Sequence, residues 1–125
     1  MKVSPFKPYQ WENRLLIIYS TGNQPSFTTQ KDSFIEARNS YEARDLLVLQ
    51  LNDEAIFNTY NKQKLSIDVE AAKAFLSLEA QENFKVFLIG KDGSIKLRSD
   101  RPIINEKLFA TIDAMPMRQQ EMKDE

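Results

Sequence analysis

The sequence predicts an α/β fold, a four-stranded mixed sheet with helices on both faces. Three observations predict it. Apolar runs recur at residues 14–19 (RLLIIY), 45–51 (DLLVLQL) and 84–89 (FKVFLI), as in strands buried on both faces. Segments with apolar residues at helical spacing follow each of the first two runs. An Asp-Gly turn then leads from the third run into an alternating segment, which marks an antiparallel hairpin.

Each element follows in chain order. Residues 1–13, with Pro5 and Pro8, read as an extended lead-in. Trp11 and Tyr9 are expected to cover one end of the core. The first strand runs to Tyr19 and gives way to the polar stretch STGNQ at residues 20–24. Pro25 suits the first turn of a helix over residues 25–39, with Phe27, Phe34, Ala37 and Tyr41 on its buried side. After the second strand, residues 52–65 (NDEAIFNTYNKQKL) read as a loop with a helical turn. Ser66 or Asp68 caps a helix carrying Glu70, Ala71, Ala74, Phe75 and Leu78.

The KDG turn at residues 91–93 joins the third strand to a fourth over residues 94–98. Alternation sends Ile95 and Leu97 one way, Lys96 and Arg98 the other. Asn105 is expected to cap a last helix whose face is Leu108, Phe109, Ile112 and Met115, with Pro116 ending it. Residues 116–125 are then a C-terminal tail. The order is β-α-β followed by α-β-β-α, and the first unit demands a parallel, right-handed crossover. That is the thioredoxin arrangement.

Length and composition narrow the chemistry. A chain of 125 residues is expected to form one domain with a real core. Its net charge is −1 and its basic residues are dispersed, so neither nucleic acid nor an anionic membrane surface has an electrostatic footprint. No Cys and no His occur, which removes thiol nucleophiles, disulfides, zinc fingers and imidazole bases. No metal, cofactor or catalytic residue is therefore assigned. The longest apolar runs are too short to span a bilayer, and MKVSPFKPYQ lacks the apolar core of a leader. A cytoplasmic chain and an exported or periplasmic one with its leader removed both fit.

Four stretches carry a family resemblance: YQWENRLLIIY, RDLLVLQL, LIGKDGSIKLRSD and LFATIDAMPMRQQEM. Together they span nearly the whole chain, and the last two are specific in combination. The chain resembles the domain-of-unknown-function 4174 family, a thioredoxin-like group. That group is related to the C-terminal domains of sushi-repeat-containing extracellular proteins and to the repeats of an extracellular coiled-coil-domain protein. The resemblance implies a fold similar to thioredoxins and peroxiredoxins, and many bacterial members carry an export signal. Likeness to thioredoxins further implies two cysteines at the first strand-to-helix corner and a cis-proline before the third strand. This sequence has Ser20 to Gln24 at the corner, and Asn83 and Phe84 at the second place.

Three places remain as candidate sites. At the corner, Thr21, Asn23 and Gln24 either cap the helix or leave bare N–H groups for an anion or a partner's carboxylate. In the hairpin, Lys91 and Arg98 stand in a cluster with Asp92, Lys96, Asp100 and Arg101. It fits an acidic ligand or charges that keep an edge strand from aggregating. In the tail, Arg118 and Glu121 lie among Met115, Met117 and Met122, which either pack back on the body or dock a partner. Asp53 and Glu54 are expected to be solvated. The sequence thus favours a redox-inactive, non-enzymatic binding or protein-interaction module. The alternative is an enzyme or small-anion-binding protein using the corner with Arg or Lys in place of the missing cysteines.

Overall fold

The computed structural model describes residues 4–22 and 24–123. Strands β1 (Arg14–Ser20), β2 (Leu46–Leu51), β3 (Ile56–Asn58), β4 (Phe84–Ile89) and β5 (Ile95–Ser99) form one sheet in the order β3-β2-β1-β4-β5. β1 pairs parallel with β2 and antiparallel with β4. The outer pairs, β2 with β3 and β4 with β5, are antiparallel. The sheet is therefore mixed, as expected, but five strands make it rather than four.

β3 was hidden because only three of its residues pair, inside a stretch that reads as a loop. Its turn is built by Asn52, whose side chain accepts from the N–H groups of Glu54 (2.7 Å) and Ala55 (2.8 Å). That local bond substitutes for a helical turn and sends the chain back along β2.

The strands are apolar on both sides because both sides are covered. Leu16, Ile18, Val48, Val86 and Leu88 pack under Phe34, Tyr41, Leu108 and Ile112. Those four belong to α1 (Pro25–Glu36), α2 (Arg38–Glu42) and α4 (Asn105–Asp113). The other face, with Leu15, Ile17, Leu49 and Phe87, packs on Ala72 and Leu76 of α3 (Val69–Leu76) and on Phe6. Asp68 caps α3 through a bond from the Ala71 N–H.

Several local expectations are corrected. The lead-in is not extended: it holds turns and a 3₁₀ helix, Lys7–Tyr9, which bring Phe6 into the core. Trp11 is 61% exposed, because its N–H is fixed to the Lys91 carbonyl at 2.6 Å with its φ at 71°. Asn105 caps nothing; it is the first residue of α4. Its side chain instead accepts from Tyr41 Oη (2.6 Å) and donates to the Ser33 carbonyl (2.9 Å), joining α4 to the first two helices. Ile95 and Leu97 face opposite sides of the sheet, because the β4–β5 register shifts between Leu88 and Ile89. A bulge of that kind reverses the facing of the residues beyond it. Pro116 does not end the chain's helical structure but begins α5 (Pro116–Lys123), since a proline suits a first helical turn as well as a stop.

The hairpin turn forms where KDG predicts it. Gly90 N–H donates to the Ser94 carbonyl and Gly93 N–H to the Gly90 carbonyl, both at 3.0 Å, with Gly93 at φ 86°. A Cβ at Gly93 would lie 3.3 Å from Gln10 Cδ, whereas one at Gly22, also at positive φ, would meet nothing within 4 Å. Gly93→Ala is therefore expected to lower the urea midpoint by an amount equivalent to about 1–2 kcal/mol. Gly22→Ala should cost less, since only backbone strain opposes it. Equal losses would show that the Gln10 contact is immaterial.

Candidate functional site

β1 organises the candidate residues into two groups at its two ends. Thr21 and Gln24 lie at the C-terminal end, at the corner where α1 begins; Asn23 lies outside the described residues. Thr21 does not cap α1. Its N–H donates to the Asn83 carbonyl (3.0 Å), tying the end of β1 to the start of β4. The N-cap is Gln24, whose side chain makes no capping bond and instead donates to the Thr21 carbonyl (3.0 Å).

This corner opens into a cavity of about 580 Å³ between α1 and the sheet. Its polar wall includes Ser20, Gln24, Thr28, Gln50 and Asn52, and its apolar wall Phe27. Among the described residues, no charged side chain lines it. The Ser20 Oγ is buried and has no hydrogen-bond partner. Neither Arg98 nor Arg118 is among its lining residues, so neither supplies the cation that the alternative reading of the corner needs.

On the opposite face of the same strand end, Tyr19 Oη donates to Asp53 Oδ1 (2.7 Å), and Lys73 Nζ lies 2.6 Å from the same carboxylate. Burial, and then the Asp53 bond, push the Tyr19 phenol up to about 12. The bonds from Lys73 and Tyr19 hold the Asp53 carboxyl below its ordinary value. Asp53 is thus engaged, not merely solvated; nothing in its Asp-Glu dipeptide signals a tyrosine 34 positions away.

Lys91 and Arg118 lie at the other end of β1, in a charged network. Arg14, the first residue of β1, is 1% exposed and forms a two-pronged pair with Glu121 of α5, both bonds 3.1 Å. Lys91 Nζ bridges Glu121 (2.7 Å) and Asp45 (2.8 Å). Arg118 donates to Asp113 (3.1 Å) and to the Ala43 carbonyl (3.2 Å), and Arg44 pairs with the same Asp113 at 2.8 Å. Burial opposes the charged form of Glu121, but the bonds from Arg14 and Lys91 outweigh it and hold the carboxyl below its ordinary value. The hairpin cluster does not assemble around Lys91: Lys96 pairs with Asp92, and Arg98 donates to the Leu76 carbonyl. The tail docks through Arg118 and Glu121, while Met117 and Met122 stay exposed. Of the three methionines only Met115 packs against the core, and the ion pairs that hold the tail span separations that no local pattern reports.

Among the described residues, no helix is long and apolar enough to cross a membrane, and no group of acidic side chains is placed to hold a metal ion. The architecture defines an α/β protein of the thioredoxin-like class. Solved structures agree: the reduced 2-Cys peroxiredoxin of Plasmodium vivax matches with a TM-score of 0.63 at 9% identity, over 91% of this chain and 83% of that one. The mitochondrial 2-Cys peroxiredoxin of Plasmodium falciparum matches with a TM-score of 0.59 at 12% identity, over 94% and 83%. Trgpx in its apo form matches with a TM-score of 0.51 at 17% identity, over 86% and 84%. At such identities the likeness is one of fold. The chain belongs to the family described as Domain of unknown function (DUF4174), whose match covers residues 5–121. Among curated proteins, none matches the sequence.

The network yields a stability test. Glu121→Ala leaves the buried Arg14 guanidinium without its carboxylate and should lower the unfolding free energy by about 3 kcal/mol at neutral pH. Met117→Ala and Met122→Ala should each stay within about 0.5 kcal/mol of the parent. Because the folded Glu121 carboxyl titrates lower than the unfolded one, its contribution is complete above the ordinary glutamate range. It is lost as pH falls through the depressed value, so the gap between parent and Glu121→Ala should close on acidification. Chemical denaturation across pH measures this, and larger losses from the methionine variants would show a tail held by apolar contacts.

Proposed function

We propose that this protein is a redox-inactive binding module whose ligand enters the cavity at the C-terminal end of β1. The observation that carries the reading is that cavity itself. It sits at the corner where likeness to thioredoxins implies cysteines, yet the chain has none and the cavity is walled by neutral polar groups. Its volume falls among those of small-molecule sites, roughly 300–1,000 Å³. The lining supports a neutral ligand rich in amide or hydroxyl groups, since Ser20, Gln24 and Asn52 offer both donors and acceptors. Phe27 supplies an apolar wall for its carbon skeleton.

Enzymatic use of the corner has less support. Among the described residues, Ser20 Oγ has no hydrogen-bond partner and no acidic or basic side chain lines the cavity to take its proton. An anion at the corner has less support as well, since no cation is among the described residues that line it. Thiol chemistry of the kind named for the 2-Cys peroxiredoxins requires a thiolate that this chain does not contain.

Two measurements test the reading. Purified protein should reduce insulin and consume peroxide no faster than a blank, and turnover in either assay would contradict redox inactivity. In amide NMR, a set of small neutral amides and polyols should shift resonances of Ser20, Gln24 and Gln50. Thr28→Trp places a large ring on an exposed helical position at the rim and should abolish those shifts while leaving the melting temperature unchanged. Shifts that survive this blockade, or none at the corner, would remove the site.

A further inference from the structure

The groove does not end at the corner. Gln50 also lines a second cavity of about 350 Å³ at the β2–β3 edge, together with Lys31, Phe57, Thr59 and Lys62. Gln50 pairs directly with Phe57 across the two strands, so both side chains stand on one face of the sheet. Lys31 comes from α1, two turns on from its start. Lys62 is set by a turn in which its own φ is 60° and its N–H donates to the Asn58 carbonyl (2.7 Å).

The groups around this cavity are unsatisfied in one direction. Thr59 is 9% exposed, and its backbone N–H is bonded to the Val48 carbonyl, but its buried Oγ1 has no hydrogen-bond partner. Leaving a buried hydroxyl unpaired costs free energy, so such a group points to a partner that arrives from outside. Among the described residues, neither Lys31 nor Lys62 is in an ion pair and no carboxylate lines the cavity. Lys73, Lys85, Lys91 and Lys96, by contrast, each have an acidic partner. Two lysines without an ion pair, a threonine with an unpaired hydroxyl and an aromatic ring line one hollow, and the Lys31 ammonium also lies 5.9 Å from the centre of the Phe27 ring.

We propose that this edge groove binds a small organic anion, with its carboxylate or phosphate between Lys31 and Lys62 and its apolar portion on Phe57. The lysines supply charge-assisted donors, and the Thr59 hydroxyl completes the shell around the anionic oxygens. This inference stands on Lys31, Lys62 and Thr59 and does not require the corner cavity to be filled.

The test is amide NMR of the whole chain titrated with phenyl phosphate, benzoate and, as a neutral counterpart, benzyl alcohol. Phenyl phosphate or benzoate should give saturable shifts at Phe57, Thr59 and Lys62, and the tighter of the two identifies the anionic group. Benzyl alcohol should give none at these positions. The double variant Lys31→Gln/Lys62→Gln, whose changes lie at the protein surface, should weaken binding by about tenfold or more. Thr59→Val should weaken it by roughly threefold or more, as loss of one hydrogen bond does. Failure of both anions to saturate, equal affinity in the double variant, or equal binding of benzyl alcohol would overturn the proposal. Neutral amides that shift only the corner, with no anion response at the edge, would overturn this inference and leave the corner reading standing; the reverse pattern would do the opposite.

Discussion

The structure depends on the burial of Arg14 at the start of the central strand. β1 lies between β2 and β4 with six of its seven residues buried, so its first side chain has no route to solvent. A guanidinium in that position must meet a carboxylate, and the one it meets, Glu121, is 107 residues away. The C-terminal helix is therefore required by the first residue of the first strand. Lys91 and Arg44 reinforce the closure from the hairpin and from the segment before β2, through Asp45, Glu121 and Asp113. Four segments remote in sequence meet at one end of β1 because each brings a charge that the others neutralise.

Closing one end in this way leaves the other end to differ. On the α1 face of the C-terminal end of β1 the contacts are neutral: Thr21 to Asn83, Gln24 to Thr21, and a helix start without a side-chain cap, while the opposite face carries the Tyr19–Asp53–Lys73 cluster. The cavities under α1 open there, between a helix and a sheet face that no ion network draws together. The cations that composition alone offers as ligand groups divide accordingly. Lys91 and Arg118 are committed to carboxylates, whereas among the described residues Lys31 and Lys62 are in no ion pair, Lys31 lying over the Phe27 ring.

Much of this architecture is legible in the sequence, because strands buried on both faces write themselves as continuous apolar runs. β1, β2 and β4 were readable for that reason, and the KDG turn and the Asp68 cap were readable because their chemistry is local. β3 was not, since three paired residues set by an Asn52 side-chain turn have no period to detect. The opposite facing of Ile95 and Leu97 arises from a register shift that alternation does not encode. Pro116 is compatible with both ending one helix and starting the next, and only tertiary pairing decides between them. The corner was legible as a place, from its strand-to-helix transition. The edge groove was not, because Lys31, Gln50 and Thr59 come together only when α1 lies across the β2–β3 pair.

The cations at the start of β1 are held in ion pairs, while those along the α1 groove are in none among the described residues. Anomalous scattering from a crystal of the whole chain soaked in bromide reads this directly, since bromide seeks accessible cationic donors. A peak between Lys31 and Lys62 near the Thr59 hydroxyl, with none in contact with Arg14, Lys91 or Arg118, is the predicted result. Bromide at Arg14 or Lys91 with the α1 groove empty would contradict the account.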